Sequence, residues 1–142
     1  MAKSAPRIRP LLSRVTLLVA VENIEDLQTT YKMLYRIIDP HYEAGASITG
    51  LSSTEETTLE ALLYGCVLMS GADATSALAD YVADGEVDYD LADEEVFAEM
   101  MNRKAVELGA KNTHFTNASG LHARPATFFI QKANCYKCSI WV

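Results

Sequence analysis

TTLEALLYGCVLMSGADATSALA, residues 57–79, is the stretch on which the fold turns. It reads as an apolar helix, a tight Ser-Gly-Ala-Asp corner and a second helix. Thr57 and Glu60 have the Ser/Thr-x-x-Glu spacing of a capping box, in which each side chain satisfies a backbone donor at the helix start. Leu59, Leu62, Leu63, Cys66 and Val67 recur at helical spacing, which predicts one buried side. Gly71 is expected to let the backbone turn, and Asp73 to cap a helix over 74–82. Ser70 then stands at the corner between two buried helices, where a hydroxyl can be held rigidly and still face a cleft.

Outward from this centre the pattern stays helical. Residues 11–23 predict a first helix. A second is expected over 25–38, with Leu27, Tyr31, Leu34 and Ile38 on one side, stopping before Pro40. Residues 41–56 are rich in Gly, Ser and Thr and read as loop, with a short extended piece at 47–51. Downstream, 93–108 predicts a long helix carrying Val96, Met100, Ala105 and Leu108, stopped by Gly109. Residues 112–119 form a turn-rich connector. Residues 1–9, basic and broken by Pro6, read as a frayed tail.

The 142 residues suffice for one ordinary core, and 49% hydrophobic with 22% charged residues is a globular balance. A net charge of −7 argues against nucleic-acid binding, which needs clustered Lys and Arg. Asp88, Asp90, Asp93, Glu94 and Glu95 read as a solvated loop and an acidic first helical turn. They lack the central glycine of a calcium loop, so no metal is expected. Cys135 and Cys138 form a lone Cys-x-x-Cys without the second pair or spaced histidine that zinc requires. His41 and His114 have no spaced partners and read as structural. No apolar run approaches the ~20 residues of a membrane span. The apolar run 17–21 behind Lys3, Arg7, Arg9 and Arg14 is too short for a signal peptide, so this polypeptide is expected in the cytoplasm.

LEALLYGCVLMSGADATSALADYVADG (59–85) resembles the central block of the serine-type D-alanyl-D-alanine carboxypeptidases, low-molecular-weight penicillin-binding proteins of the peptidase S11 type. FAEMMNRKAVELGAKNTHFTNASGLH (97–122) continues the likeness, and TLLVAVENIEDL (16–27) resembles the helix that follows the family's nucleophile. The resemblance covers about residues 10–122. It implies a mainly α fold, the helical part of the penicillin-binding-protein/β-lactamase architecture without its β-sheet. It also implies a peptidoglycan stem peptide or β-lactam as ligand, no cofactor, and action outside the cytoplasmic membrane.

Family chemistry needs a Ser-x-x-Lys nucleophile and base, a Ser-x-Asn turn and a Lys-Thr-Gly strand. Here the first register reads Leu11-Leu12-Ser13-Arg14, the second reads Ser70-Gly71-Ala72, and the third is not in the sequence. Leucine cannot attack a carbonyl, and arginine stays protonated. The expectation is a carboxypeptidase relative defective in acyl transfer, with Ser70 the candidate catalytic serine that remains.

From residue 120 the character changes. GLHARPATFFIQKANCYKCSIWV (120–142) resembles the active-site segment of the histidine-containing phosphocarrier protein (HPr) of the sugar phosphotransferase system. The likeness implies a helix over 123–134, a strand from 139, and phosphotransferase-system proteins as partners. His122 would be the phosphoacceptor at the helix start and Arg124 its phosphate stabiliser; Pro125 suits the first turn. The domains expected are thus a tail (1–9), a carboxypeptidase-like region (10–119) and an incomplete HPr-like segment (120–142). A non-catalytic fusion remnant is the third reading of the whole.

Overall fold

The computed structural model describes residues 9–84, 91–110 and 113–118. In chain order these form α1 (Arg9–Asn23), β1 (Thr30–Lys32), α2 (Tyr35–Glu43), β2 (Glu56–Thr58), α3 (Leu59–Met69), α4 (Ala72–Asp84) and α5 (Leu91–Glu107). The HPr-like segment with His122 and Arg124, and also Cys135, Cys138, Asp88 and Asp90, lie outside the described residues.

α4 is the helix that the others surround. Every residue from Gly71 to Ala79 is buried, as expected of a helix apolar or small on all sides. Ala72, Ala74, Ala77 and Ala79 let neighbouring helices approach closely. α3 and α5 pack along α4, and α1 and α2 also lie against it. Val15 and Val19 of α1, Ile37 of α2, Leu59, Leu62 and Cys66 of α3, and Phe97, Met101 and Ala105 of α5 complete the core with Leu78. A mainly helical fold is what the sequence implied.

The helix expected over 25–38 is instead a strand and a shorter, later helix. β1 pairs antiparallel with β2, with Thr30 opposite Thr58, Tyr31 opposite Thr57 and Lys32 opposite Glu56. Thr and Tyr favour strands, and Lys32 facing Glu56 is a favourable cross-strand pair. The partner is distant in sequence, so helical periodicity around Leu27 and Tyr31 could not reveal it. The extended piece therefore falls at 56–58, not at 47–51. Pro40 lies inside α2. There it removes one intrahelical donor from a nine-residue helix whose opening bonds run from Ile37 and Ile38 to the Leu34 carbonyl.

The sheet also explains why the capping box does not form. Thr57 is in the strand, and the cap is Thr58, whose hydroxyl accepts from the Ala61 N–H at 3.2 Å. The Leu59 and Glu60 N–H groups donate to the Thr29 and Leu27 carbonyls at 3.0 and 2.9 Å, so these helix-start donors are met by backbone. The Glu60 side chain accepts from Gln28 Nε2 at 2.8 Å instead. Val67, expected inside, is 50% exposed. Only Leu59, Leu62 and Cys66 of α3 are fully buried, because one narrow face of the helix meets α4.

α5 runs from Leu91 to Glu107, and Gly109, with a positive φ of 79°, follows as its stop. Its buried face is set by Phe97 and Met101, while Val96 and Leu108 are exposed. Asn102 then ties down the connector: its amide donates to the Phe115 carbonyl at 2.9 Å and its carbonyl accepts from the Phe115 N–H at 2.7 Å. Phe115 is buried against the core and His114 is exposed.

Leu62→Ala is expected to lower the unfolding free energy by about 2–5 kcal/mol, because it opens a cavity in the α3–α4 contact. Leu68→Ala, on the exposed side of the same helix, is expected to change it by no more than about 0.5 kcal/mol. Urea unfolding of the two variants checks the contrast.

Candidate functional site

Ser70 closes α3 in the left-handed conformation, with φ 50° and ψ 40°, and its side chain is exposed. Left-handed backbone is uncommon for a residue with a β-carbon. The turn expected at Gly71 is therefore made by Ser70. The missing side chain of Gly71 serves another purpose. A β-carbon at Gly71 or at Gly65 would lie 2.6 Å from the Thr49 methyl, so both glycines are needed for that methyl to fit.

Thr49 also reverses the expected role of Asp73. Asp73 lies within the first turn of α4 rather than outside it, and it is completely buried. The Thr49 N–H donates to both Asp73 oxygens at 2.9 and 3.0 Å, and the Thr49 hydroxyl donates to Oδ2 at 2.5 Å. One residue back, the Ala72 N–H donates to the Ser47 carbonyl at 2.8 Å. Residues 47–49 thus clasp the corner that carries Ser70. The carboxyl group binds a loop and does not cap its own helix.

A second polar chain crosses the same region. His41 Nε2 lies 2.8 Å from Ser76 Oγ, and Ser76 donates to Glu94 Oε1 at 2.8 Å. Since Ser76 has one hydroxyl proton and gives it to Glu94, His41 must donate from Nε2. Imidazole therefore takes up its second proton at Nδ1. Burial holds the His41 pKa below its usual 6.5, against the opposing pull of Glu94 and Asp73. His41 is a hydrogen-bonded structural residue, as the sequence suggested. Ser76 is fully buried, so this chain joins α2, α4 and α5 and exposes no nucleophile. Nearby, Cys66 lies 3.2 Å from the Thr75 hydroxyl, and burial pushes its thiol pKa up.

Two of the family registers fall on described residues. Residues 11–14 form part of α1, with Arg14 exposed. Ser70 is exposed while Ala72, which stands where the motif has asparagine, is completely buried. Thr49, Asp73, His41, Ser76 and Glu94 escaped the sequence reading as a constellation. The i, i+3 spacing of Asp73 and Ser76 on α4 was the available signal, but their partners come from distant segments. Among the described residues no group of three His, Cys, Asp or Glu side chains could hold a metal ion. Likewise no described helix is long and apolar enough to cross a membrane.

The sequence profile of the D-alanyl-D-alanine carboxypeptidases, peptidase S11, matches residues 11–131. The chain belongs to this family. It is 33% identical over 107 residues to D-alanyl-D-alanine carboxypeptidase DacF of Bacillus subtilis, covering 75% of this chain and 25% of that one. To DacD of Escherichia coli it is 38% identical over 79 residues, 56% of this chain and 18% of the relative. A variant of the Streptomyces K15 DD-transpeptidase shares the fold with a TM-score of 0.72 at 30% identity, over 80% of this chain and 44% of the other. This carboxypeptidase-family chain thus spans about a quarter of DacF and under half of the K15 protein. The HPr resemblance of residues 120–142 draws no support from these likenesses.

Because His41 is harder to protonate folded than unfolded, the native state loses stability as pH falls from the unfolded value of 6.5. The loss is complete below the folded pKa, and above pH 6.5 it is absent. His41→Gln is expected to flatten this part of the stability–pH profile, measured by urea unfolding from about pH 8 downward through the unfolded value of 6.5.

Proposed function

We propose that this chain is the Ser70-bearing helical portion of a serine-type D-Ala-D-Ala carboxypeptidase fold, whose substrate class is the peptidoglycan stem peptide and whose mimics are β-lactams. As given, it carries out no acyl transfer. The observation that carries this reading is the exposed, left-handed Ser70 at the α3–α4 corner, within a fold shared with the K15 DD-transpeptidase. The corner presents the Ser70 side chain at the surface on a defined backbone turn. Acylation requires more: a nucleophile and a base within hydrogen-bond reach. Leu11 supplies no nucleophile and Arg14 no base, since a guanidinium remains charged at any working pH. Ala72 offers no amide to hold a substrate carbonyl.

A second reading rests on His-Ala-Arg-Pro-Ala at 122–126. An imidazole two residues before Arg124 in sequence suits phosphoryl transfer, since a guanidinium stabilises added negative charge. On this reading residues 120–142 are an HPr-type phosphocarrier segment, phosphorylated on His122. A fusion remnant would show neither chemistry.

Intact-protein mass spectrometry distinguishes the three. Incubation with a fluorescent penicillin is expected to leave the mass unchanged; a covalent adduct, lost in Ser70→Ala, would overturn the assignment of an inert site. Incubation with phosphoenolpyruvate, magnesium and the enzyme that charges HPr tests the second reading. An acid-labile phosphate that disappears in His122→Ala would establish it.

A further inference from the structure

We propose that Thr49 and Asp73 are the positioning pair of Ser70, together fixing the left-handed turn on which that hydroxyl stands. The inference rests on the reading of Ser70 as the family's second-motif serine, and it assigns to two other residues the task of orienting it.

Two features of the corner meet at Thr49, and a third lies beside it. Its methyl occupies the space left by two glycines, Gly65 on α3 and Gly71 after the turn, one on each side of Ser70 in sequence. Its N–H and hydroxyl both donate to the buried Asp73 carboxyl group. The Gly71 N–H, the donor immediately after Ser70, meets the Gly65 carbonyl at 3.2 Å, across the same gap. Threonine is the residue type that carries a hydroxyl and a methyl on one β-carbon, and here both groups are used. Serine would leave a void between the glycines. Valine would fill it but remove one of the donors to a buried acceptor, and such donors are costly to lose.

Ser70 does not itself hold this geometry. Its side chain is exposed, and a left-handed backbone is unfavourable for serine. Such a conformation persists where the surroundings over-determine it. Here they do so through a loop, residues 47–49, that is remote from Ser70 in sequence and belongs to neither flanking helix.

The test uses the full isotopically labelled chain. The HN–Hα coupling and carbon shifts of Ser70 report its backbone conformation, and amide exchange at Ala72 reports the clasp to Ser47. In Thr49→Val the Ser70 signals are expected to leave the left-handed range, and Ala72 exchange to rise roughly tenfold or more. Leu78→Ala, a core change in α4 that lowers overall stability, is expected to leave the Ser70 conformation in place. Gly65→Ala should shift the Ser70 signals, and Gly65→Ala combined with Thr49→Ser should largely restore them, because the atom in severest conflict has been removed and only a tight 3.3 Å approach to the Ala74 β-carbon is left. Ser70 signals indifferent to Thr49→Val would overturn the proposal. So would a Gly65→Ala effect that Thr49→Ser does not relieve, and this second comparison decides alone if Thr49→Val fails to fold. Neither readout involves acylation, so a failure here is separate from a failure of the carboxypeptidase reading.

Discussion

A carboxyl group without exposure to water must find its hydrogen-bond donors inside the protein. Asp73 finds them on Thr49, and this requirement draws residues 47–49 onto the start of α4. Much else follows from that placement. The Thr49 methyl comes to lie against the α3–α4 turn, so positions 65 and 71 can have no side chain. The chain must then reverse at Ser70, which takes the left-handed conformation in place of a glycine. The Ala72 N–H, otherwise an orphan at the helix start, is met by Ser47. One buried acceptor thereby organises the turn, the helix start and the exposure of Ser70.

The same helix is held from its other sides by groups equally remote in sequence. Ser76, one turn after Asp73, links His41 on α2 to Glu94 on α5. Tyr31, from the small sheet, donates to Asp80 a further turn along. α4 therefore carries an apolar seam of Ala74, Ala77 and Leu78, and a row of polar side chains that each receive a partner from a different element. Polar networks of this kind contribute less to net stability than apolar burial does, but when satisfied they specify one arrangement.

How much of this was legible in the sequence depended on the range of the interaction. Leu59, Leu62 and Cys66 declared α3 because helical burial repeats locally, and Gly109 declared the end of α5 for the same reason. The β1–β2 pairing was hidden, since Tyr31 also fits a helical stripe with Leu27 and its strand partner lies beyond a long loop. Asp73 looked like a helix cap because Asp after Gly so often is one. Only the fold shows that its oxygens turn toward Thr49. Ser70 was identified by pattern and by family likeness, but the reason for its conformation lies in Gly65 and Thr49. The motif positions Leu11, Arg14 and Ala72 were legible as residue types alone.

The contact between Thr49 and the two glycines is the centre of this account, and nuclear Overhauser spectroscopy on the unmodified chain observes it directly. Strong cross-peaks from the Thr49 methyl to the α-protons of both Gly65 and Gly71 are expected, since a β-carbon at either position would lie 2.6 Å from that methyl. A folded spectrum in which neither cross-peak appears would contradict the clasp, and with it the explanation given for Ser70.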